Sequence, residues 1–193
     1  MKEVVVLGNA PSRLEIDIES IKVPTIGCNA IYRDFSPTYL TAIDDNMIKE
    51  IVDNHSMWGS KFIIRKGSHH TTRLLKLGKE VYYVDGENIY LQGSGGLALA
   101  YAAENFDIVY MVGMDSQAGF RKDTNIYVGT KNYSPPYNHI NYNKFIESHK
   151  RIMKQYCTTT FIHVIDNTPD WNYNLENYTR INTNTFKKLD LFI

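Results

Sequence analysis

Apolar residues recur along the chain in short runs of strand length, and turn residues or helix-like patterns separate these runs. Most runs are continuous rather than alternating, which is typical of parallel strands whose sheet is covered on both faces. The pattern predicts strands at Glu3–Leu7, Thr25–Cys28, Tyr39–Ile43, Lys61–Ile64, Val81–Val84, Ile108–Val112 and Phe161–Ile165.

Helical periodicity lies between several of these runs and predicts helices at Asp45–Asn54, Ser94–Asn105 and Ile140–Tyr156. In the last helix, apolar residues recur every three or four positions, as on the buried face of an amphipathic helix. Strands that alternate with helices predict an α/β fold. We therefore expect a single α/β domain over residues 1–193, with a mainly parallel sheet flanked by helices.

The composition excludes several classes of protein. Basic and acidic residues balance at 21 each, so no overall positive charge would gather nucleic acid or anionic lipid. No signal peptide precedes the first strand, and no apolar run approaches the roughly 18 residues that cross a bilayer, so we expect a cytoplasmic protein without a transmembrane segment. Cys28 and Cys157 fit neither a disulfide framework nor a zinc motif. The many asparagines and 14 tyrosines are typical of an AT-rich genome and suggest a viral protein.

The residues that follow each predicted strand are the first candidates for a site, because ligands of parallel α/β sheets bind beyond the carboxyl ends of the strands. These residues are polar and rich in Asn and Asp: Gly8–Ser12, Cys28 and Asn29, Asp44–Asn46, Asp115, and Asp166–Thr168. A long segment over residues 116–138 carries further glycines and prolines. We expect it to be a lid that closes over the site.

The turn Gly-Asn-Ala-Pro-Ser ends the first predicted strand. Gly8 would let a ligand approach the backbone, Asn9 offers hydrogen-bond donors and acceptors, and Ser12 could cap a following helix. The turn matches neither the dinucleotide-binding fingerprint nor the Walker loop. From these residues alone, ligand binding and an ordinary strand-to-helix turn both stay open.

The segment from Gly93 to Phe106 begins Gly-Ser-Gly-Gly at a predicted helix start. Such a start leaves unpaired N–H groups and the positive end of the helix dipole available to an anion. The alternative is that the glycines only let the helix pack tightly against the sheet.

The acidic residues allow a metal site as an alternative. Asp44, Asp45 and Asp115 could supply the oxygen ligands that Mg²⁺ prefers. Asp45 is equally suited to cap the helix that follows, and Asp44 and Asp115 could instead bind substrate hydroxyls.

The histidines divide by their surroundings. His69 and His70 are adjacent, so on regular structure they would point apart, and we expect a surface pair. His149 and His163 fall on apolar patterns and are expected in the core. His139 stands between the long segment and the last helix. Because an imidazole titrates near neutral pH, His139 could take a proton from a hydroxyl as a general base.

The motifs LGNAPSRLEID, GCNAIYRD and GSGGLALAYAAENFDIVYMVGMDS, then a late His before an amphipathic helix, occur in this order. In order and approximate spacing they resemble the small bacterial sialyltransferases that cap lipooligosaccharides. The resemblance implies a Rossmann-like glycosyltransferase that binds a nucleotide-sugar without a metal cofactor.

The resemblance also implies roles for individual residues. His139 would be the general base, and Tyr127, Tyr133 and Tyr137 would stabilise the leaving phosphate. Together with the turn residues, the implied donor-binding set is Gly8, Asn9, Ser12, Asn29, Ser94, Gly95, Asp115, Asn167 and Thr168.

Gln117 stands where that family has a tyrosine, so the sugar and the acceptor stay open. The acceptor could be a glycan or a hydroxymethylated base in viral DNA, and a homo-oligomer also stays open. The pterin pyrophosphokinases resemble the chain over the same stretches, which implies ATP and Mg²⁺ held by Asp44, Asp45 or Asp115. A non-catalytic nucleotide-binding protein is the third hypothesis.

Overall fold

The computed structural model describes residues 1–54, 59–85, 91–115, 125–133, 142–166 and 172–193. Its strands are β1 (Glu3–Leu7), β2 (Thr25–Cys28), β3 (Tyr39–Thr41), β4 (Lys61–Arg65), β5 (Val81–Val84), β6 (Ile108–Val112), β7 (Thr160–Val164) and β8 (Tyr178–Ile181). Its α-helices are α1 (Asp45–Asp53), α2 (Thr71–Lys76), α3 (Gly93–Asn105), α4 (Tyr142–Gln155) and α5 (Thr183–Phe186).

The strands form one eight-stranded sheet in the order β5-β4-β3-β2-β1-β6-β7-β8. Every pairing in this order is parallel. The chain moves outward from β1 to β5 and then crosses to β6, on the other side of β1. This reversal is the topological switch point at which open α/β sheets bind ligands. The predicted α/β class with a parallel sheet is therefore confirmed.

The core lies on both faces of the sheet because successive side chains of a strand point to opposite faces. In β1, Val4 and Val6 pack with the cluster around α3, whereas Val5 and Leu7 pack with the cluster around α1. All four are fully buried. In the described ranges, no helix has both the length and the apolar character needed to cross a membrane.

The sequence pattern missed the elements that are short or polar. The strand β8 reads Tyr-Thr-Arg-Ile and is only partly buried at one edge of the sheet, so it has no apolar run. The helices α2 and α5 are too short to display a helical period. The predicted bounds of β1, β2, β5 and β6 agree with the structure, and the other predicted elements differ from it by one or two residues at their ends.

Candidate active site

A cavity of about 740 Å³ opens at the carboxyl ends of the central strands. Its described walls come from the turns after β1, β2, β3 and β6, the start of α3, α4, and part of segment 125–133. The cavity lies at the switch point, and its size is typical of sites for small molecules. The predicted donor-binding or phosphate-stabilising residues among its walls are Gly8, Asn9, Asn29, Ser94, Gly95, Asp115 and Tyr133.

The turn after β1 is held against the end of β6. The N–H of Gly8 donates to the carbonyl of Val112 at 2.8 Å, and the N–H of Ala10 donates to that of Gly113 at 3.0 Å. A Cβ at Gly8 would lie 2.1 Å from the carbonyl oxygen of Gly113. Glycine is therefore required there by the close packing of two strand ends, whether or not a ligand also approaches the backbone.

The amide of Asn9 is engaged by the protein at both ends. Its Nδ2 donates to the Cys28 carbonyl at 3.1 Å and to the Tyr133 hydroxyl at 3.4 Å. Its Oδ1 accepts from Nη1 of Arg13 at 2.8 Å. With these bonds in place, Asn9 shapes the cavity wall, and a direct contact between its amide and a donor would require one of them to open.

Arg13 lies beneath the same turn and is only 3% exposed. Its guanidinium donates to the carbonyl of Gly8 at 3.0 Å as well as to Asn9, and Nη2 donates to the Tyr127 hydroxyl at 3.0 Å. The Asp34 carboxylate lies 4.0 Å away. Sequence reasoning missed Arg13, since no periodicity or motif marks an arginine as buried and long charged side chains are usually exposed.

The start of α3 is fastened to two strand ends. The Ser94 hydroxyl donates to Oδ1 of Asn29 at 2.6 Å and accepts from the N–H of Ile43 at 3.2 Å. Asn29 adopts a left-handed φ of 54°, which asparagine tolerates better than most residues. The residue before the helix, Gln92, makes no side-chain cap. Gly93, Ser94 and Gly95 line the cavity, so the end of α3 that attracts anions lies at the cavity.

The tyrosines predicted to face the leaving phosphate differ in position. Tyr133 lines the cavity, and burial raises its pKa to about 12, so it keeps its proton. The Tyr127 hydroxyl donates to Oδ2 of Asp34 at 2.6 Å and accepts from Arg13. Tyr127 is not among the described residues of the cavity wall. Its hydroxyl thus supports Arg13, and its role at the leaving phosphate stays a prediction.

The Ser12 side chain bonds to Asp115 and does not cap a helix. Its hydroxyl donates to Oδ1 of Asp115 at 2.5 Å. The short 3-10 helix Pro11–Glu15 that follows has Ala10 at its N-cap and no side-chain cap, so the expected capping role is wrong. Asp115 lines the cavity, and burial raises its pKa, although the hydrogen bond from Ser12 opposes that rise.

Segment 125–133 is bonded to the body of the protein. The N–H of Ile126 donates to the carbonyl of Asn9 at 2.9 Å, and Nδ2 of Asn132 donates to the buried Glu50 at 2.7 Å. Arg33 joins the segment to α1, because its guanidinium pairs with Glu50 of α1 and also donates to the Thr130 hydroxyl at 2.7 Å. This part of the expected lid therefore forms a fixed piece of the cavity wall. The rest of the lid lies outside the described residues.

The acidic residues proposed as a metal site are not gathered in the described structure. Asp44 and Asp115 line the cavity, but Asp45 does not. Asp45 is also not the N-cap of α1, a position that Asp44 occupies. The Asp45 carboxylate instead faces His70, and this hydrogen bond lowers the pKa of Asp45.

His69 and His70 do not point apart, contrary to the expectation. They lie in the turn before α2, with ring centroids 3.9 Å apart, and both approach Asp45. The expectation assumed regular structure, whereas a turn can place adjacent side chains on one side.

The other described histidines are buried, as predicted. Nδ1 of His149 shares a hydrogen bond with the Tyr173 hydroxyl at 2.9 Å, and burial lowers the pKa of His149 to about 4. Nδ1 of His163 likewise lies 2.9 Å from the Tyr178 hydroxyl, and burial lowers its pKa to about 3. His149 also borders the cavity, which the sequence pattern did not indicate.

The remaining predicted site residues are His139, Tyr137, Asn167 and Thr168, all of which lie outside the described residues. Asp166 is described at the end of β7. Its carboxylate accepts from the N–H of Thr183 at 2.9 Å and so anchors the start of α5.

No protein-family model matches the chain, and no curated protein matches its sequence. The structure of this chain is similar to that of a mutant of the alpha-2,3/8-sialyltransferase CstII, with a TM-score of 0.52 and 15% identity over 84% of this chain and 81% of the mutant chain. The sialyltransferase CST-II in complex with a trisaccharide acceptor and CMP matches with a TM-score of 0.51 and 14% identity, over 100% of both chains. At this identity the likeness establishes the fold, so the chain has the Rossmann-like fold of these sialyltransferases.

Proposed function

We propose that this protein is a glycosyltransferase that moves a sugar from a nucleotide-sugar in the cavity to an acceptor hydroxyl. The observation that carries the proposal is the cavity at the switch point, with the glycine-rich start of α3 in its wall. The similar CST-II structure was solved with CMP and a trisaccharide acceptor. These ligands make a nucleotide donor and a glycan acceptor the first choices. A hydroxymethylated base is the second choice of acceptor.

The start of α3 is the best candidate for the donor phosphate. Backbone N–H groups and the positive end of the dipole of this helix stabilise an anion without a metal ion. Ser94 and Asn29 hold one another and fix the orientation of this end. Preorganised donors of this kind stabilise the negative charge that grows on a leaving phosphate.

The charges around the cavity favour a sugar nucleotide over free ATP. The described lining residues include the carboxylates of Asp44 and Asp115 but no lysine or arginine. A polyphosphate would be repelled by these carboxylates unless cations accompanied it. The same carboxylates suit the hydroxyl groups of a ribose or a sugar, because an ionised carboxylate only accepts hydrogen bonds.

Transfer requires a base at the acceptor, and we assign that role to His139. Displacement of the nucleotide builds positive charge on the anomeric carbon while the acceptor hydroxyl loses its proton. An imidazole near its ordinary titration range can take that proton at neutral pH. In this scheme no metal cofactor is required.

Donor binding is the first test. In EDTA, we expect a nucleotide-sugar from a panel of CMP, UDP, GDP and ADP conjugates to raise the thermal midpoint, because a ligand of the folded state stabilises it. Ser94→Ala should reduce the shift, whereas Ser20→Ala, at a half-buried serine outside the described cavity wall, should not. A shift with ATP and Mg²⁺ alone would support a pyrophosphokinase, and no shift with any nucleotide would refute nucleotide binding.

The role of His139 is tested by His139→Ala. Loss of a general base should reduce transfer by roughly 10²- to 10⁴-fold while donor binding is retained. Parental activity in this variant would exclude His139 as the base without affecting the proposed donor site.

A further inference from the structure

Three metal-ligating side chains meet outside the cavity, and no step of the proposed transfer uses them. Asp45 is the first residue of α1, and His69 and His70 lie in the turn before α2. Nε2 of His70 lies 2.9 Å from Oδ1 of Asp45, and Nε2 of His69 lies 3.5 Å from the same oxygen. The three ligand atoms all lie within 4.8 Å of one another.

The topology of the sheet explains why residues so distant in sequence meet. The strands β3 and β4 are parallel neighbours, so the segments that follow them leave from the same edge. The helix α1 follows β3, and the turn with both histidines follows β4. Two imidazoles and one carboxylate thus come together beside Asp44, which lines the cavity.

The separations fit a tetrahedral metal ion. Zinc binds imidazole nitrogen and carboxylate oxygen at about 2.0–2.1 Å, which places tetrahedral ligand atoms about 3.3 Å apart. The separations of 2.9 and 3.5 Å lie on either side of that value. Small movements of the two rings would therefore be enough to enclose an ion.

The three ligands differ in burial. The His70 side chain is 12% exposed, whereas those of His69 and Asp45 are 74% and 72% exposed. An ion held by these three ligands would have its fourth position open to water. The neighbouring cation Arg73 pairs with Asp53 at the other end of α1, at 2.9 Å.

We propose that Asp45, His69 and His70 bind a divalent transition-metal ion, with zinc as the representative, which ties α1 to the turn before α2. This donor set suits zinc and related first-row ions better than Mg²⁺, which prefers oxygen ligands. The site shares Asp45 with the Mg²⁺ ligands considered from the sequence, but Asp45 lies outside the described cavity wall, and the site does not depend on the proposed transferase activity.

Zinc titration by calorimetry tests the site in the full chain, after chelator treatment and with Cys157→Ser as the background. This substitution removes an exposed thiol that could bind zinc. We expect the background protein to bind one zinc ion at this site. His69→Ala, His70→Ala and Asp45→Asn should each weaken binding at least about tenfold, since even loss of an outer-shell partner has that effect. Asp53→Asn is the matched control on the same helix and should bind as the background does.

The thermal midpoint gives a second readout. Zinc should raise it in the background and in Asp53→Asn, and the rise should be reduced in all three ligand variants. His69→Ala changes an exposed side chain, so circular dichroism should show a folded protein. Zinc binding at background affinity in both histidine variants, or absence of zinc binding by the background, would overturn the proposal.

Discussion

Polar side chains around the cavity occur in two settings that differ in burial. Arg13 and Asn9, beneath the turn after β1, are 3% and 9% exposed and bonded to one another. Asp45 lies just outside the cavity wall, in the group with His69 and His70 that we call the rim; it is 72% exposed and faces His70. Loss of a buried partner leaves a group that water cannot reach, whereas water replaces a lost partner at the rim. The buried groups therefore set the shape of the cavity, and the rim groups can exchange their partners for a ligand.

His149 and His163 are buried polar side chains like Arg13 and Asn9. The largest expected effect of such burial is on the pH dependence of stability. Burial lowers the pKa of His149 to about 4 and that of His163 to about 3, below the ordinary value of 6.5. Below about pH 6.5 the unfolded chain therefore binds more protons than the folded one, and stability falls as the pH falls. Together the two histidines should lower the free energy of unfolding by about 5 kcal/mol between pH 6.5 and 4.5.

Urea unfolding at a series of pH values measures this effect. His163→Phe should reduce the slope by about 1.4 kcal/mol per pH unit. An equal slope in the parent and in His163→Phe would show that burial of this imidazole does not control the acid sensitivity.

Arg13→Met should have the next largest effect. The substitution leaves the Gly8 carbonyl, the Asn9 amide and the Tyr127 hydroxyl without their buried partner. We expect the free energy of unfolding, measured in urea, to fall by about 3 kcal/mol.

The matched control for that change is Arg151→Met on α4. Arg151 is 57% exposed and pairs with Glu147 one helical turn away, so its replacement should cost less than about 0.5 kcal/mol. Equal losses in the two variants would remove the distinction between buried and exposed cations.

Asp45→Asn should have the smallest effect. In a chelator, the free energy of unfolding should not change measurably, because the Asp45 carboxylate is exposed and water can replace its partner. Urea unfolding measures this change. A measurable loss without metal would mean that the rim cluster itself supports the fold.

The sequence predicted the central strands well because their burial on both faces demands continuous apolar runs. The bounds of β1, β2 and β6 agree with the predicted ranges, as do those of the edge strand β5, which is only partly buried. The turns that follow the strands were equally accessible, since the end of a strand is also the place where a parallel sheet binds its ligands. Gly8, Asn29 and Asp115 were found in this way, and all three line the cavity.

The contacts of the site could not be predicted because they join residues that are distant in sequence. The burial of Arg13 depends on Tyr127, more than a hundred residues later. The meeting of His69 and His70 with Asp45 depends on the pairing of β3 with β4 and on a turn that no local pattern reveals. In both cases the residue types were visible, but their partners were set by the topology of the sheet.

The position of β1 in the sheet also affects how the chain can fold during synthesis. β1 pairs with β2 on one side, but its other neighbour, β6, comes about a hundred residues later, with Glu3 opposite Ile108. At roughly 5–20 residues per second, the ribosome needs about 5–20 s to produce that stretch. During this interval the backbone N–H and C=O groups on that edge of β1 have no strand to pair with, so we expect the growing chain to be most prone to aggregation before β6 emerges.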